Sequence, residues 1–157
     1  MISSAGIDET KYSKIARAAS DVQFRLPQPV FEILSEIGIY MYVRETVAVA
    51  YAMSTYPHRA LVHMYSRLEG HERFDIEFVI AHEFAHIYLG HLLISRPTKR
   101  QTREDEIAAN LQAETWGFEM PRDVRQTLIN LAIEQATDPE VIAEYIKEQK
   151  SVPQESP

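Results

Sequence analysis

Apolar residues recur at Ile76, Val79, Ile80, Phe84 and Ile87 within the stretch 75–91. This three-and-four spacing predicts a helix with one buried face, ending at Gly90. Upstream, residues 8–20 predict a short helix carrying Ile15, Ala16 and Ala19 behind a loose N-terminus. The prolines of 26–29 break the chain, and Pro29 suits the first position of a second helix because its missing N–H has no partner there. Val30, Ile33, Leu34 and Ile37 form that helix's stripe, with Gly38 as its stop. Alternation and β-forming residues predict strands at 39–43, 47–53 and 60–65, with a turn at 55–58.

Beyond the 75–91 helix, residues 94–101 read as a basic connector in which Pro97 forbids helix continuation. The segment 102–105 has the form of an N-cap box and opens a helix to about Gly117. Met120-Pro121 breaks it. Helices are predicted at 122–136, with Val124, Leu128, Leu131 and Ala132 on one face, and from Asp138-Pro139 to about Lys147. The polar, proline-bearing residues 150–157 are predicted to be disordered. The expected architecture is α+β: a small three-stranded sheet packed on a mostly helical domain, residues 1–149, with the 75–91 helix central. The third strand is the candidate free edge to which an extended peptide would add.

Composition narrows the chemistry. The 157 residues suit one domain with a genuine core, and 45% hydrophobic against 25% charged residues is ordinary for a soluble fold. There is no cysteine, so any metal must be held by His and carboxylate. A net charge of -7 argues against non-specific nucleic-acid binding and is compatible with a basic protein partner. The first residues lack the basic and apolar regions of a signal peptide, and no apolar run reaches membrane-spanning length. The expected compartment is the cytoplasm.

Inside the central helix stands His82-Glu83-Phe84-Ala85-His86. At about 100° per residue the two histidines lie about 40° apart, one turn from each other, so both imidazoles can reach one point. Glu83 lies on the flank of that stripe, where its carboxylate can touch a water without binding the metal. Two neighbouring histidines on a buried helix are costly unless something coordinates or hydrogen-bonds them. The pattern is that of a zinc peptidase helix, and His with carboxylate at this spacing favours zinc over manganese.

A catalytic zinc takes three protein ligands and keeps a fourth position for water. His91 is excluded as the third because it lies about 180° around the helix from His82, and it is assigned to the helix terminus. The remaining candidates are Glu104, Asp105, Glu106 and Glu114 on the returning helix. Ala109 and Ala113 share a face with Glu106, and such small residues let two helices approach closely. Glu106 is therefore the expected third ligand, with Glu114 second. Asn110, one turn after Glu106, is a candidate for orienting a ligand by hydrogen bond. His63 and Tyr65, on one face of the third strand, are candidates for stabilising a developing oxyanion.

Taken together, Ala81-His-Glu-Phe-Ala-His86, then Glu106-Ile-Ala-Ala-Asn-Leu-Gln-Ala113, then Met120-Pro121 resemble the ImmA/IrrE metallopeptidases. The helix ending in Gly38-Ile39 and Arg73-Phe74 before the motif are also similar to that family, so the likeness spans roughly residues 25–125. Gln112 stands where the family has Phe, and Trp116-Gly-Phe-Glu119 replaces a short leucine run. The resemblance implies cleavage of helix-turn-helix transcriptional repressors. On the residues themselves, the expected activity is zinc-dependent peptide hydrolysis: His82, His86 and Glu106 hold zinc, and Glu83 takes a proton from the attacking water and returns it to the leaving amine. The rival is a binding module that holds zinc and captures a regulator stoichiometrically. An intact Glu83 disfavours it, because a pure binder needs no base beside the water.

Overall fold

The computed structural model describes residues 1–45, 51–55, 59–93 and 99–126, with the backbone alone at 51–55 and 99–101. The chain divides into two compact units, Met1–Met120 and Pro121–Pro157. The first holds every element discussed below. In the second, residues 122–126 are helical. The rest of the helix expected at 122–136, the helix before Lys147 and the tail 150–157 lie outside the described residues.

The order of elements in the first unit is β1 (Ile2–Gly6), α1 (Ser13–Arg25), α2 (Gln28–Ile37), β2 (Ile39–Arg44), β3 (Tyr51–Thr55), β4 (Arg59–Tyr65), α3 (Arg73–Tyr88) and α4 (Lys99–Thr115). Short 3₁₀ turns at Ser66–Gly70 and His91–Leu93 flank α3. The architecture is mixed α+β with mostly helical content. It differs from expectation in its sheet, which among the described residues has four strands in the order β1-β2-β4-β3. Strands β1, β2 and β4 run parallel, and β3 is antiparallel to β4.

The extra strand is the N-terminal segment expected to be loose. Ile2 pairs with Ile39 and Ser3 with Tyr40, and the Ile39 N–H donates to the Met1 carbonyl at 2.9 Å. Five residues rich in Ser and Ala carry little strand signal of their own; the pairing surface of β2 supplies it. Gly6 permits the approach, since a Cβ there would lie 2.5 Å from Tyr42 Cβ. The expectation that the third strand is a free edge is also corrected. β4 lies inside the sheet between β2 and β3, because β3 turns back and runs antiparallel to β4 on its outer side. Among the described residues the edges are β1 and β3. One sheet face is a closed apolar layer of Ile39 and Met41 from β2 with Ala60, Val62 and Met64 from β4.

Helix α1 starts at Ser13, later than periodicity predicts, because residues 8–12 form a turn on Asp8, whose Oδ1 accepts from the Thr10 N–H at 3.0 Å. Its first amides are satisfied from far along the chain: Glu69 accepts from the N–H groups of Lys14 at 2.9 Å and Ile15 at 3.0 Å. Helix α2 begins at Gln28, one residue before Pro29, and stops at Gly38, whose φ of 80° only glycine adopts at little cost. Val30 and Leu34 are buried, whereas Ile33 is exposed. Helix α4 begins at Lys99, so Thr102 lies within it and the cap box expected there does not form the start. At its other end Gly117 has a φ of 87°, the Phe118 N–H bonds the Ala113 carbonyl and the Gly117 N–H bonds that of Glu114. That pair of bonds is the Schellman stop, and it buries Trp116 and Phe118 beneath the helix end.

Helix α3 is more enclosed than a single-stripe helix. Ile76, Glu77, Phe78, Ile80, Ala81, Glu83, Phe84, Ala85 and Ile87 are all buried, and α1, α2, α4 and β3 contact it. It is the central helix of the unit, as the sequence predicts. Its N-terminal half is tied by charge. Buried Glu77 accepts from Arg73 Nε at 2.8 Å and from Arg25 of α1, Arg73 also pairs with Asp21, and Arg25 reaches the Gly117 carbonyl at 2.8 Å.

Candidate metal centre

The histidines sit on the half of α3 that faces α4. One turn apart on a regular helix, their rings meet edge to face with centroids 4.7 Å apart, and their Nε2 atoms are 3.1 Å from each other. Ala109 and Ala113 of α4 are fully buried, as are Ala81 and Ala85 of α3. These four small residues allow α3 and α4 the close packing expected. From α4, Glu106 presents Oε2 to His82 Nε2 and Oε1 to His86 Nε2, each at 3.3 Å. Both imidazoles are largely covered, while the Glu106 side chain is 51% exposed, so the group opens to solvent on the side of α4.

His82, His86 and Glu106 form a group that could hold a metal ion, the only such group of three or more among the described residues. The spacing fits. An ion with bonds of about 2.0–2.1 Å in tetrahedral geometry holds its ligand atoms about 3.3 Å apart, and the separations here are 3.1 and 3.3 Å. Three electron-rich atoms do not converge this closely without a proton or a cation among them. Interaction with the His82 and His86 imidazoles, each 3.3 Å away, holds the Glu106 carboxyl well below the usual carboxylate range, against the opposing effect of burial. Glu106 is therefore ionised and ligand-ready at neutral pH.

The other candidates are placed as follows. Glu83, next to His82, is 5% exposed and engaged in its surroundings. Glu114 is half-buried two turns further along α4, outside the three-residue group. Asn110 is buried, and among the described residues it makes no hydrogen bond to His82, His86 or Glu106. His63 is buried within the sheet and its Nδ1 lies 3.0 Å from the Tyr42 hydroxyl. Burial, aided by the nearby Arg44 charge, lowers its pKa. Tyr65 is half-buried with the Arg67 guanidinium 5.4 Å from its ring centre.

One neighbour of the group was assigned only to a helix terminus by the sequence. His91 follows Gly90, whose φ of 75° ends α3, and the 3₁₀ turn folds its ring back against His86. The two Nδ1 atoms are 2.9 Å apart, and His91 Nε2 lies 3.6 Å from Asp105 Oδ1. Burial pushes the His91 pKa down, and the Asp105 carboxylate opposes that effect. The signal that could have found this contact is the Gly90-His91 pair: a left-handed stop reverses the chain just past the second histidine.

Among the described residues, no helix is long and apolar enough to cross a membrane. No protein-family model, curated protein or solved structure matches the chain.

Proposed function

We propose that the chain is a zinc-dependent endopeptidase that hydrolyses a peptide bond in a protein, with a helix-turn-helix transcriptional repressor as the substrate class that its likeness to the ImmA/IrrE peptidases implies. The observation that carries this reading is the three-residue group: two imidazole nitrogens from one helix and a carboxylate from another, at mutual distances of 3.1 to 3.3 Å. His82, His86 and Glu106 would hold the ion, and Glu106 brings the negative charge that offsets it. A bound zinc would supply Lewis acidity, making a water a better nucleophile at neutral pH and polarising a peptide carbonyl. Glu83 is the general base: its carboxylate takes the proton from the attacking water and hands it to the leaving amine. An extended substrate would pair with a sheet edge, and β3, which contacts α3 and the His91–Leu93 turn, replaces β4 in that role.

The test has two parts. The purified chain should contain about one equivalent of zinc, lost on His82→Ala. Glu83→Gln should keep that zinc and stop cleavage of a repressor supplied in excess. A variant that cuts as fast as wild type would sink the mechanism. A stable complex with no fragments from the wild-type chain would favour stoichiometric capture instead.

A further inference from the structure

The two histidines on α3 are not supported alike. His82 Nδ1 is buried and has no hydrogen-bond partner among the described residues. His86 Nδ1 meets His91 Nδ1 at 2.9 Å, with ring centroids 5.0 Å apart at 71°. The far nitrogen of His91 faces Asp105, 3.6 Å away, and the His91 and Asp105 side chains are each 13% exposed. Asp105 is the residue before Glu106, so one turn of α4 contributes both a candidate ligand and the far end of this chain of contacts.

The protons in this chain are constrained. A neutral imidazole has one N–H and one lone pair, and a carboxylate only accepts. Asp105 therefore favours the His91 tautomer with its hydrogen on Nε2, although at 3.6 Å this last link is an electrostatic contact longer than a hydrogen bond. That tautomer leaves a lone pair on His91 Nδ1. His86 must then carry its hydrogen on Nδ1 and donate it to His91, which leaves His86 Nε2 unprotonated and facing His82 and Glu106. The opposite arrangement, with His91 donating, would put the His86 hydrogen on the nitrogen needed for the metal.

We propose that His91 and Asp105 are positioning residues that hold His86 in the tautomer and ring orientation required to bind the metal. The inference rests on the metal-binding reading above and adds two residues to it. His91 is not one of the three residues that would hold the ion; it acts through His86, as partners behind metal-bound histidines commonly do.

The test is zinc affinity of the full chain, measured by competition with a chromophoric chelator, for wild type, His91→Leu, His91→Asn and Asp105→Asn. His91→Leu should weaken zinc by about 10–100-fold. His91→Asn places an amide oxygen where Nδ1 stood, keeps the acceptor, and should stay within about threefold of wild type. Asp105→Asn removes the tautomer bias and should fall between them. With cobalt(II) as the probe, the visible bands should shift in His91→Leu and be retained in His91→Asn, a difference that loss of packing would not produce. Thermal unfolding with excess chelator provides the folding control, and if His91→Leu does not fold, Asp105→Asn carries the comparison. Equal zinc affinity in wild type and His91→Leu would overturn the inference while leaving the metal site intact. So would a His91→Asn variant as weak as His91→Leu. A wild-type chain that takes up neither ion would overturn this inference and the proposed function together.

Discussion

Replacing Glu77 with Gln tests what sets the pose of the helix that carries His82 and His86. The Glu77 side chain is 2% exposed and receives Arg73 and Arg25, one from its own helix and one from α1. Gln preserves the shape but removes the charge and turns one acceptor into a donor that faces a guanidinium. Removing one partner of a buried ion pair costs about 3–5 kcal/mol where the remaining charge stays buried. Here Arg25 and Arg73 are 40% and 48% exposed, so both can turn toward water. Arg25 keeps the Gly117 carbonyl and the Phe118 ring, and Arg73 keeps Asp21. The expected loss is therefore smaller, about 2–3 kcal/mol, close to one or two charge-assisted hydrogen bonds. At about 2–4 °C per kcal/mol for a chain of this size, the melting temperature should fall by about 5–10 °C. Urea titration gives the direct reading: the midpoint should drop with an unchanged slope. A double-mutant cycle with Arg73→Met should show coupling between the two residues. A Glu77→Gln loss below about 0.5 kcal/mol, the range of ordinary surface substitutions, would refute the view that this network anchors α3.

Two further outcomes follow. Glu106→Ala should weaken zinc binding by about 100-fold or more, whereas Glu114→Ala should stay within about threefold; the reverse order, read by the same chelator competition, would move the third ligand to Glu114. His63 should give stability a pH dependence. Its folded pKa lies below the ordinary value of about 6.5, so between the two values the unfolded chain holds more protons and stability rises with pH. The contribution is fully present above the ordinary value and is lost as pH falls through the folded one. Denaturant midpoints for wild type should thus fall between pH 7 and pH 5 by more than those of His63→Gln, and parallel curves would exclude His63 as a source.

Much of the centre was legible in the chain because its geometry is local. Helix periodicity alone puts His82 and His86 one turn apart on one side, and the Ala109 and Ala113 spacing singles out the face of α4 that carries Glu106. Gly38, Gly90 and Gly117 mark helix ends because a positive φ is a property of the residue itself. The features that were missed depend on partners distant in sequence. The first amides of α1 are satisfied by Glu69, a carboxylate that arrives from beyond the sheet. Burial of α3 on nearly every side follows from how many elements surround it, which its own stripe does not encode.

The sequence by itself determined that two imidazoles share a helix face and that an acid from the returning helix can join them. Only the tertiary structure decided that Ile2–Gly6 completes the sheet, that β4 lies inside it, and that His91 and Asp105 stand behind His86. The physical reason is range. Backbone periodicity acts over one or two turns, whereas strand order and contacts between side chains of different helices are chosen by which surfaces the whole chain can bury at once.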